Sequence, residues 1–198
     1  VDTSAVERDP NAPTGIYFVT HGAAGHEFSY LRAGSAASRM TPSWLVEPSL
    51  PARVIQSAAI LHLSAISLAI SLHACDAAFA AMALARKSGT RVSFDSNLRL
   101  KLWPLARAQA CIAHAVTLSD IFLPSLEDMV TLTGLSDPDR IVDWGHAHGA
   151  ATVVLKLGAE GALVSDGAKR VRVAGKTVKL VDATGAGDCF CGNLLARM

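Results

Sequence analysis

The chain has 198 residues, 51% of them hydrophobic and 18% charged, which is apolar enough to bury a sizeable core and excludes a disordered polyelectrolyte. Lys and Arg total 18 against 17 Asp and Glu, a formal net charge of +1, so no overall field draws it to nucleic acid or an anionic membrane and any bound anion needs a local site. Four scattered cysteines (Cys75, Cys111, Cys189, Cys191) without C-x-x-C spacing exclude a disulfide framework and the common zinc and redox motifs, which fits a reducing cytoplasm.

The first residues are polar, with Asp2, Glu7, Arg8 and Asp9, unlike the basic and then apolar start of a signal peptide. Residues 15–20 (GIYFVT) and 26–32 (HEFSYLR) are β-prone runs around the Gly-rich 21–25, which predicts a hairpin. The most apolar stretch, 58–72, is interrupted by His62, Ser64, Ser67 and Ser71 and is too short and polar to span a bilayer. Within it 59–63 (AILHL) reads as a short strand whose His62 is expected to be a satisfied core histidine. A helix follows over 72–88, with Leu72, Cys75, Phe79, Met82 and Ala83 on its apolar face and Gly89 as its stop.

The alternation then continues: strand 91–94, helix 104–118 with Pro104 in its first turn, strand 120–123, helices 126–132 and 138–148, and strand 152–156. Strands separated by helices of this length predict an α/β fold, a mostly parallel Rossmann-like sheet covered by helices on both faces. Runs 161–165 and 170–173 around Asp166-Gly167 predict an edge hairpin. Residues 181–190 (VDATGAGDCF) read as a loop that opens a helix.

That last segment carries chemistry. Phosphoryl transfer asks a protein to position phosphates, neutralise their charge and take a proton from the attacking hydroxyl. Glycines let the backbone approach an anion, and the free N–H groups of a helix start point at it. A carboxylate at the same place, Asp188, can accept a hydroxyl proton. The plainer alternative is a tight turn capped by Asp188, and a bare G-A-G-D does not decide between them. Walker and complete G-x-G-x-x-G motifs are absent from the sequence.

The full stretch Asp182-Ala183-Thr184-Gly185-Ala186-Gly187-Asp188 resembles the D-T-x-G-A-G-D signature of the ribokinase-like (PfkB) carbohydrate kinases, with Ala183 in place of the usual Thr. The resemblance implies ATP as phosphoryl donor with Mg2+, Asp188 as catalytic base, and an anion hole from Gly185, Ala186 and Gly187. Lys156-Leu157-Gly158-Ala159-Glu160-Gly161 resembles the family's K-x-G-x-x-G stretch, implying nucleotide contact by Lys156, Gly158, Glu160 and Gly161, joined by Ser125, Gly185 and Gly187. Ser125 and Asp128 stand at the two ends of the family's N-x-x-E motif, which implies a magnesium-region role for Asp128, with Glu127 as the alternative.

Residues 30–38 (YLRAGSAAS) and 94–103 (FDSNLRLKLW) resemble the Y-x-R-x-G-S-A-A-S and F-D-x-N-x-R-x-x-L-W segments of 2-keto-3-deoxygluconate kinases. The implied substrate is a sugar acid, phosphorylated to its 6-phosphate. A guanidinium forks onto a carboxylate with two charge-assisted hydrogen bonds, and Arg32 and Arg99 can supply that grip. The resemblance also brings Tyr17, Tyr30 and Ile66 to the substrate.

Each of these residues has an ordinary reading beside the functional one. Either arginine alone reads equally as an exposed charge or a salt bridge, Tyr17 as a strand residue packing on a neighbour, and Asp95 and Asn97 as turn formers. His146 and His148 are expected to be exposed near a helix end, and Cys189 and Cys191 to be small packing residues.

Residues 1–198 are expected to form one ribokinase-like domain, partial at both ends relative to the family, with lid strands within about 14–33. The resemblance implies lid pairing in a homodimer or higher homo-oligomer. Two further readings stay open: a ribokinase-like kinase for a neutral sugar such as fructose or ribose, and a catalytically silent nucleotide-binding module.

Overall fold

A computed structural model describes residues 2–22, 25–179 and 181–198. The first two strands, β1 (Ile16–Gly22) and β2 (Gly25–Leu31), pair antiparallel and extend into the Gly-rich connection beyond the expected ends. Ala23 and Ala24 of the expected turn lie outside the described residues. Register places Tyr17 opposite Tyr30 and Val19 opposite Phe28, so these four share one face, while Ile16, Phe18, Ser29 and Leu31 take the other.

The main sheet has six strands in the spatial order β3 (Ile60–Ser64), β4 (Arg91–Asp95), β5 (Ile121–Leu123), β6 (Thr152–Lys156), β7 (Gly161–Ser165) and β8 (Arg170–Ala174). β3 to β6 run parallel, and β7 and β8 return as the antiparallel hairpin expected from Asp166-Gly167. The helices are α1 (Leu50–Ser57), α2 (Ala65–Ala69), α3 (Leu72–Lys87), α4 (Leu105–Thr117), α5 (Leu126–Thr133), α6 (Pro138–Ala147) and α7 (Ala186–Leu195). The first two were not anticipated. The start of α1 nonetheless carries a signal, Ser49 accepting from the Ala52 N–H at 3.3 Å with Pro51 in the first turn.

Alternation along the strands sorts the core into two layers. Phe122, Val153, Leu155 and Leu163 pack with Met82, Ile112, Met129 and Ile141 from α3 to α6, whereas Ile121, Leu123, Val154 and Ala162 face Cys191, Leu194 and Leu195 of α7. Both faces are therefore covered, but unequally. Each fully buried Leu, Ile, Val, Phe or Met side chain of the larger layer contributes about 1.5–3 kcal/mol.

Two expectations fail in this core. On α3 the buried stripe is Ala74, Cys75, Ala77, Ala78, Ala81, Met82 and Ala85, while Leu72 is 66% exposed and Ala83 faces solvent. Cys75, Phe79 and Met82 of the expected face do pack on the core, and the small alanines beside them let the helix lie close to its neighbours, so that only Leu72 and Ala83 of that face turn outward. His62 is exposed rather than a core residue, with Nδ1 3.1 Å from Ser93 Oγ. The strands beneath still desolvate its imidazole and hold its pKa below the ordinary value, aided by Lys156 and opposed by Asp95 and Asp188.

Of the other histidines, His146 is half-buried, its Nδ1 2.8 Å from the Ala150 carbonyl and Nε2 2.7 Å from Ser165 Oγ. His148 is also half-buried, stacked on Trp144, so neither has the exposed position expected of it. Cys191 packs in the core as expected, while Cys189 lies exposed.

Gly161 opens β7 at φ +98°, and a Cβ there would lie 2.0 Å from the Val173 carbonyl oxygen. Gly161→Ala is expected to cost on the order of 2–3 kcal/mol, lowering Tm by roughly 4–12 °C in a thermal melt.

Candidate functional site

The four parallel strands end on one side of the sheet, and residues at or just beyond all four ends line a single cleft of about 540 Å³. Ile66 follows β3; Asp95, Asn97 and Arg99 come from β4 and its loop; Ser125, Glu127 and Asp128 follow β5; Lys156 and Gly158 come from β6. Tyr17, Phe28, Tyr30 and Arg32 of the two-stranded lid form the opposite wall, and Gly185, Gly187 and Asp188 complete it. Ligands of open parallel sheets collect outside such carboxyl ends because the loops diverge there.

The sequence places the α7 start by its small residues. Gly185 caps the helix at φ +72°, in the left-handed region that glycine adopts without strain. Ala186 N donates to Ala183 O at 3.0 Å, while the N–H groups of Gly187 and Asp188 have no recorded partner among the described residues. A Cβ on Gly187 would meet nothing within 4 Å, so packing does not demand glycine, and helix propensity disfavours it by roughly 1 kcal/mol. A close-lying ligand would. Asp188 is exposed in the first turn, beside these free donors.

The two arginines enter the same cleft without acidic partners within 4 Å among the described residues. The Arg32 guanidinium lies 5.3 Å from the Tyr30 ring centre and 5.9 Å from that of Tyr17, and its Nε is a buried donor with no hydrogen bond. Arg99 is half-buried, with Nη1 donating to the Leu98 carbonyl at 2.7 Å. Tyr17 packs on Phe28 and Tyr30, with ring centres 5.9 and 6.3 Å away, and lines the cleft as well, so both of its readings hold geometrically.

Lys156 has a partner that its motif did not announce. Its Nζ lies 2.7 Å from Asp95 Oδ1, the two side chains being 16% and 3% exposed. The Cys191 thiol of α7 donates to Asp95 Oδ2 at 3.4 Å; burial, reinforced by the Asp95 carboxylate, pushes that thiol up to about 12, so it stays protonated. Asp95 is therefore a buried anchor and more than a turn former. Asn97, whose N–H meets Asp95 Oδ1 at 3.2 Å, holds an unusual φ of +22° at the cleft.

Around β5, Ser125 caps α5 by accepting from the Asp128 N–H at 3.2 Å, and Asp128 Oδ2 accepts from Ser96 Oγ at 2.6 Å. Glu127 is exposed in the cleft. No group of three His, Cys, Asp or Glu side chains suited to a metal occurs among the described residues. These carboxylates thus fit a cation that brings oxygen ligands with it, and not a preformed cage.

Ala186, Glu160 and Gly161 do not line the cleft: Glu160 pairs with Arg172 at 3.4 Å and Gly161 is fixed by its strand geometry. Phe28 lines the cleft without having been singled out. The two-residue spacing from Tyr30 already set it on the same strand face.

A mostly parallel sheet with a cleft at its carboxyl ends, closed by a small lid and by a glycine-capped helix start, is the architecture of the ribokinase-like class. The chain belongs to the pfkB family of carbohydrate kinases, whose model matches residues 1–198. It is 38% identical to 2-dehydro-3-deoxygluconokinase of Thermoproteus tenax, over 99% of this chain and 59% of that protein. It superposes with a TM-score of 0.82 on Vibrio cholerae O395 fructokinase in its fructose-, ADP- and calcium-bound form, at 34% identity over 98% of this chain and 61% of that one. An E. coli protein assigned as a ribokinase II, in complex with ATP and Mg2+, gives a TM-score of 0.81 at 27% identity, over 94% of this chain and 58% of that one. The chain thus spans about 60% of the length of these relatives.

Removing one partner of a buried ion pair leaves the other charge uncompensated. Asp95→Ala is expected to destabilise the fold by about 3–5 kcal/mol in urea titrations.

Proposed function

We propose that this chain carries the phosphoryl-transfer site of an ATP-dependent kinase that phosphorylates 2-keto-3-deoxygluconate at its 6-hydroxyl, acting as one kinase domain with a lid. The observation that carries the reading is the pair of arginines without acidic partners, Arg32 and Arg99, in one cleft with the Gly185–Asp188 helix start. A neutral sugar gives two such cations nothing to neutralise, whereas a sugar acid brings a carboxylate. The match to the Thermoproteus tenax enzyme points the same way.

In this reading the substrate carboxylate sits on Arg32 and Arg99, with Tyr17, Tyr30 and Ile66 around the carbon chain. The far hydroxyl then reaches Asp188, whose carboxylate accepts its proton as the oxygen bonds to the terminal phosphorus of ATP and the bond from that phosphorus to the bridging oxygen breaks, releasing ADP. The N–H groups of Gly187 and Asp188, at the positive end of α7, stabilise the charge that builds on the transferred phosphoryl oxygens; Gly185 and Ala186 complete the turn that exposes them. Ser125, Gly158 and the residues about Lys156 border the nucleotide side. Lys156 acts mainly by holding Asp95, since that contact already occupies its ammonium.

Magnesium, when bound with ATP, neutralises phosphate charge. Glu127 and Asp128 are the residues that would hold it, Glu127 having no contact like the one that binds Asp128 to Ser96. Lid closure over the cleft excludes water and favours transfer over hydrolysis. The outward lid residues Ile16, Phe18 and Leu31, 48%, 54% and 62% exposed, support lid pairing in a homodimer. Four free thiols fit a cytoplasmic setting, and no described helix is long and apolar enough to cross a membrane.

A second reading, a kinase for a neutral sugar, is favoured by the likeness to the fructose-bound fructokinase. An ATP-consumption assay across sugar acids and neutral sugars separates the two. Turnover of 2-keto-3-deoxygluconate is expected; turnover of fructose alone would establish the second reading, and nucleotide binding with no turnover of any sugar would establish a silent module.

Arg32→Ala and Arg99→Ala should each raise KM for the sugar acid about 10–100-fold, the size of a charge-assisted hydrogen bond. Asp188→Asn should bind both substrates and lose about 10²–10⁴-fold in kcat, read by steady-state kinetics beside a melt that shows the fold intact.

A further inference from the structure

We propose that Lys101 is a latch, tying the two-stranded lid to the turn that carries Arg99 and so setting how firmly the cleft closes on its acceptor sugar. The proposal deepens the kinase reading above and rests on it for its kinetic consequence.

The turn itself is a rigid platform. Leu98 and Trp103, 8% and 4% exposed, belong to the main core and fix it on both sides, and Leu102 N donates to Arg99 O at 2.9 Å to close it. Two side chains leave the platform for different targets. Arg99 enters the cleft. The Lys101 ammonium reaches the lid strand β2, 3.1 Å from the Phe28 carbonyl oxygen and 3.4 Å from Glu27 Oε1.

Phe28 makes this contact consequential. Its backbone oxygen takes the Lys101 bond while the same residue lines the cleft, and it also borders a second hollow of about 530 Å³ together with Lys101 and Leu102. Movement of β2 away from Lys101 therefore moves a wall of the cleft. Lys101 and Glu27 are 61% and 73% exposed, so their ion pair is weak, and the bond to the carbonyl is the stronger half of the latch. Lys101 does not itself touch the cleft; it is a positioning residue that acts through the lid.

The test compares Lys101→Ala, Lys101→Arg and Glu27→Gln with the parent by hydrogen exchange and by steady-state kinetics on whichever sugar the parent phosphorylates. Lys101→Ala should speed amide exchange in the described lid strands about tenfold and raise the sugar KM about tenfold, the size of one charge-assisted bond, with the ATP KM and Tm unchanged. Lys101→Arg should restore most of both, and Glu27→Gln should shift them only about twofold. Lid exchange equal to the parent in Lys101→Ala overturns the latch whatever the substrate. Faster exchange with an unchanged sugar KM overturns its role in closure. Faster exchange with a raised KM for a neutral sugar supports the latch and defeats the sugar-acid reading alone.

Discussion

The buried pair of Lys156 and Asp95 is the constraint on which the cleft depends. It joins the ends of β6 and β4 across the intervening β5 and takes up the thiol of Cys191. Withdrawing two charges from water costs several kcal/mol per ion, which only close pairing offsets. At 2.7 Å the pair meets that condition. It forms when the parallel strands are in register, and the Cys191 thiol of α7 then packs on the free carboxylate oxygen, so one interaction fixes the cleft floor and gives the helix that bears Asp188 a point of contact.

Charge in the cleft follows from that arrangement. Lys156 is neutralised from within, which leaves Arg32 and Arg99 as the cations facing the lid side. Glu127, Asp128 and Asp188 lie among the other lining residues. The proposed elongated substrate, with an anionic head and a hydroxyl tail, matches this division, the guanidinium groups standing at one part of the cleft and the Asp188 carboxylate at another. Arg32 stacks against the rings of Tyr30 and Tyr17, so the aromatic wall orients the cation.

Much of this was legible in the chain. β-prone runs around a Gly-rich stretch located β1 and β2, apolar runs of five residues or fewer between amphipathic helices located the parallel strands, and Asp166-Gly167 located the edge hairpin. The small residues of 185–188 left a helix start and a capped turn both open, and the resemblance of 182–188 to the family signature favoured the start whose free donors the structure shows. The Lys156–Asp95 contact was hidden, since its members stand 61 residues apart and each belongs to a motif with a different expected role. The α3 face is legible only at Cys75, Phe79 and Met82 because alanines make the rest of its packing, and α1 is hard to read because its cap is a lone Ser-x-Pro in a loop-like stretch. His62 was misplaced because the neighbours of a strand do not reveal how much of each sheet face is covered.

The attachment of α7 has a chemical consequence. Among its described residues only Cys191 is fully buried, with Leu194 and Leu195 half-covered, whereas α3 seats a whole stripe in the larger layer. Cys191 is where α7 meets the sheet, so its thiol should stay closed to alkylating reagents in the native protein while the exposed Cys189 on the same helix reacts.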